Sequence, residues 1–90
     1  MSEQITVAGV TVDTRHWIGG RRVASAATFT DVSPIDGAAL GEIARGGAAE
    51  VDAAVTAARE AFPGWAATSR ADRAAVLRAI AEVVEKRLEE

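Results

Sequence analysis

Apolar side chains recur every three or four positions through the second half of this 90-residue chain. This spacing is typical of amphipathic helices that carry one apolar stripe. Two stripes can be traced, the first on Val51, Ala54, Val55, Ala58 and Phe62, and the second on Ala74, Leu77, Ile80, Ala81, Val84 and Leu88. We therefore expect two helices of roughly four turns each, joined as a helical hairpin, in a zone that runs from Ala48 to the end.

Local signals mark the ends of these helices. Pro63-Gly64 should end the first helix, because proline lacks the N–H that a helix interior requires. Ser69 should cap the second helix, with Asp72 three residues later as a weaker form of the capping box. The final segment, EKRLEE, has no glycine or asparagine cap and carries glutamates where the helix dipole favours cations. We expect such a chain to have been cut inside a helix.

Short bursts of β-branched and aromatic residues precede the helices, between His16 and about Arg45. The bursts HWI, RRV, TFTDV and LGEIA are separated by turn residues, which predicts two β-hairpins. Gly19-Gly20 suits the two-residue turn of the first hairpin, and Asp36-Gly37 suits a chain reversal in the second. Residues 1–15 are interpreted as an N-terminal tail. The chain as a whole is predicted to be an α+β fragment.

The third strand has an irregular pattern. Pro34 cannot donate to a ladder and biases the preceding residue towards extended geometry, so this strand should stop near Val32. Phe29 and Val32 have opposite parity along the strand. We expect the strand either to be covered on both faces or to contain a bulge.

Composition limits both the core and the partners. The chain is 49 % hydrophobic, but about a quarter of its residues are alanine, which contributes little buried area. Its apolar surfaces are therefore expected to pack against something outside the chain. A net charge of −3 argues against a nucleic-acid partner, and no apolar run approaches a membrane span. With no cysteine and no signal-peptide pattern, a cytoplasmic location is expected.

No complete catalytic group is found in the sequence. Gly19-Gly20 lies between two predicted strands, whereas a dinucleotide-binding glycine motif joins a strand to a helix. Gly46-Gly47 precedes the first helix and is open to two interpretations, an anion site or simple N-terminal capping. His16 is the single histidine, and nothing places a metal ligand or a serine beside it. Trp17 and Trp65 are interpreted as packing residues.

The order of these motifs resembles the N-terminal segment of the NAD(P)-dependent aldehyde dehydrogenase superfamily. The resemblance spans about residues 16–88 and rests on HWIGGRRV, TFTDVSPIDGAALGEIARGG, VDAAVTAAREAFPGW and RADRAAVLRAIAEVVEKR. It departs from the family at Ser33, where asparagine is usual, and at Gly47, where an acidic or polar residue is common. These departures loosen any assignment to a subfamily.

The resemblance implies that residues 16–90 are an incomplete N-terminal part of the cofactor-binding domain. In that family a cysteine thiolate attacks the aldehyde, a hydride passes to NAD or NADP, and a glutamate-activated water releases the acid. This chain lacks those residues, so it should be inactive alone and should not bind the cofactor. A longer enzyme is expected to be a homo-oligomer acting on a muconic semialdehyde, betaine aldehyde, aminoaldehyde or other aldehyde.

One site carries over in part from the resemblance. Several relatives bind a monovalent cation through the strand before the proline turn, which corresponds here to Asp31 and Val32. An ordinary strand end is the alternative interpretation of these residues. Two other functions remain open for the chain, a small α+β interaction module without activity and an anion-binding module built on Gly46-Gly47.

Overall fold

The computed structural model describes residues 3–90, which form six short strands and two helices. Each strand pairs antiparallel with the next, so the β-structure consists of three separate hairpins. The strands are β1 Gln4–Val7, β2 Val10–Asp13, β3 His16–Ile18, β4 Arg21–Val23, β5 Thr28–Val32 and β6 Ala39–Ala44, and the helices are α1 Ala48–Ala66 and α2 Arg70–Lys86. The structure divides into two compact units, one ending at Ala58 and one comprising Arg59–Glu90.

Both predicted hairpins are present. β3 pairs with β4, and β5 pairs with β6. β5 ends at Val32 as predicted. The turn that follows is closed by the Asp36 carboxylate, which accepts from the Ala38 N–H at 3.0 Å, and by Gly37 with a φ of 74°.

The β5–β6 ladder contains an irregularity, but its extra residue lies in β6 and not in β5, where a bulge was predicted. Asp31 pairs with Gly41 and Val32 pairs with Ala39, so Leu40 of β6 is left without a partner in the register. A bulge shifts side chains between the two faces of a strand. The extra residue lies in β6, so the alternation of side chains along β5 is unchanged, and Phe29 and Val32 on its opposite faces are both exposed.

A third hairpin lies within the segment that was interpreted as a tail. β1 and β2 are joined by Ala8 and Gly9, whose φ values of 49° and 82° are those of a tight two-residue turn. Alanine rarely adopts positive φ, so Ala8-Gly9 is not a sequence pattern that predicts this turn. The first two residues of the predicted tail lie outside the described residues.

The first hairpin lies close to β6. A Cβ added at Gly41 would overlap the side chain of Ile5 in β1. The end of β2 is also tied to the end of β6, because the Ala44 N–H donates to the Thr14 carbonyl at 3.0 Å. Glycine at position 41 therefore permits the close approach of two hairpins.

The predicted end of the first helix is wrong. α1 continues through Pro63 to Ala66. Proline removes only the bond from its own nitrogen, while its carbonyl still accepts, here from the Ala67 N–H at 3.1 Å. The helix ends one turn later, where the Thr68 hydroxyl donates to the Gly64 carbonyl at 2.9 Å.

The predicted start of the second helix is confirmed. The Ser69 hydroxyl accepts from the Asp72 N–H at 3.1 Å and caps α2. The helix ends at Lys86, beyond which the Arg87 N–H is shared between the Val83 and Val84 carbonyls.

No side chain among residues 3–90 is buried. The largest apolar residues keep much of their surface in water, including Phe62, which is 67 % exposed, and Trp17, which is 65 % exposed. The two units are therefore defined by hydrogen bonds and local contacts more than by a hydrophobic core.

Candidate functional site

The glycine pair at positions 19 and 20 forms a hairpin turn. Their φ values are 63° and 80°, and they join β3 to β4. On this hairpin the guanidinium of Arg22 lies 5.2 Å from the ring centre of Trp17. Because a strand follows the glycines instead of a helix, this turn has no helix N-terminus to receive a phosphate.

The second glycine pair lies at the start of α1, where a carboxylate of the chain itself occupies the helix end. The Gly47 N–H donates to Glu50 Oε2 at 2.9 Å, which is one half of a capping box. This bond, followed by the Glu50 backbone N–H, lowers the pKa of the Glu50 carboxyl. The arrangement favours the capping interpretation of Gly46-Gly47, because a bound anion would have to displace a negatively charged group.

His16 lies beside this helix start. Its ring is the nearest group to a Cβ added at Gly46, and its Nε2 atom is buried without a hydrogen-bond partner among the described residues. A cavity of about 250 Å³ borders it, lined by His16, Trp17, Ile18, Gly46, Glu50, Val51 and Ala54. The lining holds no second base, nucleophile or metal ligand beyond one glutamate that is already engaged in the cap.

Ser25, Ser33 and Ser69 make local contacts with the backbone. The Ser25 hydroxyl donates to the Ala27 carbonyl at 2.8 Å, and the Ser33 hydroxyl accepts from the Ile35 N–H at 3.2 Å. Ser69 caps α2. No hydrogen bond joins His16 to any of them within residues 3–90, so the described residues contain no serine–histidine pair.

Asp31 and Val32 lie at the irregular point of the β5–β6 ladder, and both are exposed. A bulge turns backbone groups away from regular pairing, which is compatible with a carbonyl ligand at this point. Over the described residues, no cluster of three or more histidine, cysteine, aspartate or glutamate side chains is placed to hold a metal. These two residues would therefore supply only part of a coordination shell.

Two polar clusters were not anticipated from the sequence. Arg15 binds Asp13 through two side-chain nitrogens, at 3.1 Å from Nε and 2.7 Å from Nη2, and also lies 3.4 Å from Glu3. The side-chain bonds from Arg15 and then its backbone N–H hold the pKa of Asp13 at about 2. The sequence signal is a basic residue two positions after an acidic one, which is too common to single out.

The second cluster spans β5 and β6. The Thr28 and Thr30 hydroxyls donate to Glu42 at 3.0 and 2.5 Å, and the bond from Thr30, then that from Thr28, lowers the pKa of Glu42. A small cavity of about 110 Å³ lies between the clusters, lined by Glu3, Thr14, Arg15, Ala24, Ser25, Thr28, Glu42 and Ala44. The charged side chains that line this cavity already have partners within the chain. We therefore interpret the cavity as part of the packing between hairpins and not as a ligand site.

Sequence comparisons identify the family. The Aldehyde dehydrogenase family pattern matches residues 22–90, and the chain belongs to this family. The 5-carboxymethyl-2-hydroxymuconate semialdehyde dehydrogenase of Escherichia coli is 37 % identical over 83 % of this chain and 16 % of its own length. The 2-aminomuconic semialdehyde dehydrogenase of Danio rerio is 44 % identical over 83 % of this chain and 15 % of its own length.

A second bacterial relative has a similar identity and a similar coverage. The 2-hydroxymuconic semialdehyde dehydrogenase of a Pseudomonas species is 42 % identical over 84 % of this chain and 16 % of its own length. The chain thus spans only 15–16 % of the length of these three relatives. No solved structure matches it. No helix within residues 3–90 is long and apolar enough to cross a membrane.

The described residues do not fit a dinucleotide cofactor. Gly19-Gly20 joins two strands. In the second pair, the Gly47 N–H donates to the Glu50 carboxylate. With no cysteine in the chain, there is also no thiolate to attack an aldehyde.

Proposed function

We propose that this chain is the N-terminal portion of an NAD(P)-dependent aldehyde dehydrogenase, and that the 90 residues themselves are structural and inactive. The observation that carries the proposal is the family match over residues 22–90 in a chain without cysteine. The absence of any buried side chain among residues 3–90 supports it, because the exposed apolar surface suits a segment that packs against the remainder of a dehydrogenase fold.

The substrate is proposed to be an aldehyde or semialdehyde that is oxidised to the carboxylic acid. Relatives whose names specify muconic semialdehydes support this class. The longer protein is proposed to be a cytoplasmic homo-oligomer, as the family resemblance implies.

The cation site is kept as part of the proposal. The Val32 carbonyl and Asp31 would contribute two of the oxygens around a monovalent cation, with the others supplied by later sequence. The interrupted register opposite Asp31 and Val32 supports the proposal, because regular ladder pairing breaks at this point. Titrating the longer enzyme with potassium, with Asp31→Asn beside the unaltered protein, tests it: unchanged potassium-dependent thermal stabilisation in the variant would leave no role for the Asp31 carboxylate.

The intact mass of the natural product tests the main proposal. Protein captured from the source cells with an antibody to residues 1–90 would be measured by mass spectrometry, and then assayed for aldehyde-dependent reduction of NAD and of NADP. The 90-residue chain is the matched control. We expect a much longer, cysteine-containing product that is active and an inactive control. A natural product ending at Glu90, or activity of the control, would overturn the proposal.

A further inference from the structure

The Nε2 atom of His16 is a hydrogen-bonding atom that this segment covers by itself. It is buried and has no hydrogen-bond partner within residues 3–90. Such atoms are rare in folded proteins, because an unpaired buried polar atom costs free energy. Further chain packed on this segment can bury more surface, but it cannot uncover an atom that the segment already covers. Nε2 can therefore gain a partner only through a local rearrangement.

Glu50 lies next to this atom, on the first turn of α1. The point that a Cβ at Gly46 would occupy is 3.8 Å from His16 Nε2 and 3.9 Å from Glu50 Cβ. Both side chains also line the cavity of about 250 Å³ at this helix start. Because Gly46 has no side chain to separate them, a rotation of the Glu50 side chain can bring its carboxylate to Nε2.

The Glu50 carboxylate is engaged in the helix cap. The Gly47 N–H donates to its Oε2 at 2.9 Å. This bond, then the N–H of Glu50 itself, lowers the pKa of the Glu50 carboxyl against an opposing effect of burial, and a positive charge on His16 lowers this pKa further. Glu50 therefore stays ionised between about pH 5 and pH 8, the range in which histidine side chains usually change charge.

We propose that His16 and Glu50 form a pH-dependent contact at the start of α1. While the imidazole is neutral, Glu50 accepts from the Gly47 N–H and caps the helix. When the imidazole is protonated, Nε2 carries a proton that requires an acceptor, and the carboxylate turns from Gly47 to this N–H. A lower pH thus exchanges a helix cap for a histidine–glutamate ion pair.

The other charged side chains around His16 have contacts of their own. Arg22 lies over the ring of Trp17, on the face of β3 opposite to His16. The remaining contacts are those of Arg15 with Asp13 and of Arg45 with the ring of Phe29. Of the described residues that line the cavity, Glu50 is the one with a charged side chain besides His16. Glu50 is therefore the acceptor to which a protonated His16 turns.

Hydrogen exchange followed by mass spectrometry, on the intact natural protein, tests this contact. Peptides that contain Gly47 and Glu50 would be compared at about pH 8 and about pH 5.5, with labelling times scaled to the same intrinsic exchange. We expect exchange at this helix start to rise about fivefold at the lower pH, the factor that corresponds to the loss of one helix cap. Peptides from the start of α2 are the internal reference, because the Ser69 hydroxyl that caps this helix does not titrate in this range.

Three variants assign the response to the pair. His16→Phe keeps a ring without a titrating nitrogen, and Glu50→Gln keeps an acceptor for the Gly47 N–H without its charge. Both should retain a protected helix start at either pH. Asp52→Asn is the matched control, because Asp52 lies in the same turn but not in the cavity lining, and this variant should keep the full response.

The outcomes separate this inference from the proposed function. An unaltered protein with pH-independent exchange at Gly47 would overturn the inference, and so would an unchanged response in His16→Phe or Glu50→Gln. A loss of the response in Asp52→Asn would also overturn it. The readout lies within residues 46–51 and requires no activity, so a natural product of any length can be used.

Discussion

The two units of this structure differ in the contacts that stabilise each of them internally. The unit ending at Ala58 contains three hairpins with polar side-chain contacts, such as Glu42 with two threonines across the β5–β6 ladder and Arg15 with Asp13 at the end of β2. The unit comprising Arg59–Glu90 relies on hydrogen bonds within its helices and on the cap at Ser69. The difference shows that specific polar contacts define the hairpins, whereas the helical unit depends on helix propensity and helix ends.

The largest expected effect lies in the hairpin unit, at the contact between β1 and β6. Gly41→Ala should destabilise this unit by about 2 kcal/mol or more, because the new Cβ overlaps Ile5 and the backbone has a φ of 155°. Thermal unfolding followed by circular dichroism and by amide exchange of Ala44 would measure the loss.

Shortening the opposing side chain is the matched control. Ile5→Ala combined with Gly41→Ala should recover part of the stability, because the overlap is removed while the backbone strain remains. Equal stability of Gly41→Ala and the unaltered chain would show that β1 does not lie over β6 in solution.

A smaller loss is expected at the start of α2. Ser69→Ala should reduce the helix content of α2 and destabilise it by about 1 kcal/mol, because the Asp72 N–H loses its acceptor. Far-ultraviolet circular dichroism measures this change. Ser69→Asp keeps an acceptor oxygen and should retain the helix content. If both variants behaved alike, the hydroxyl would not be the capping group.

How far the sequence predicts this structure depends on how local each signal is. The Gly19-Gly20 turn and the Ser69 cap each rest on the chemistry of adjacent residues, and both were predicted. The β1–β2 hairpin was missed because its turn places Ala8 at positive φ. The continuation past Pro63 was missed because a proline signal says nothing about the bonds made by the next turn.

For the candidate sites too, features that depend on composition or adjacent residues can be predicted, whereas contacts between distant residues cannot. The absence of a thiolate could be seen directly from the composition. The capping of Gly47 by Glu50 and the pairing of Glu42 with two threonines depend on side chains meeting across a turn or a ladder. Such contacts require the register of the strands and the start of the helix, which spacing alone leaves uncertain by a residue or more.

A glycine in the helical unit is expected to respond in the opposite way to Gly41, since replacing it with alanine should raise stability. Gly64 is a helical glycine with open space around its Cα, since nothing lies within 4 Å of an added Cβ. Gly64→Ala should therefore stabilise α1 by about 0.5–1 kcal/mol through helix propensity. A rise in helix content and in the unfolding midpoint is expected. A loss of stability would indicate that the turn after Pro63 needs a glycine.

The smallest effect is a pH dependence confined to the hairpin unit. The pKa of Asp13 is lowered to about 2 by its bonds to Arg15. A carboxyl whose pKa is lower in the folded state contributes stability above its ordinary pKa, and this contribution is lost as the pH falls towards the folded value. Stability should therefore decrease between about pH 4 and pH 2. The contribution is modest because this ion pair is near the surface.

Asp13→Asn isolates this titration from those of Glu42 and Glu50, whose pKa values are also lowered. The variant should lose less stability on acidification than the unaltered chain, with the difference confined to the amides of the hairpin unit. Carbon-13 NMR titration of the Asp13 carboxyl gives its pKa directly, and Arg15→Gln should raise that pKa towards the ordinary value. An ordinary pKa for Asp13 in the unaltered chain would mean that the two-nitrogen contact with Arg15 does not persist in solution. The hairpin unit would then lack one of the polar contacts that distinguish it from the helical unit.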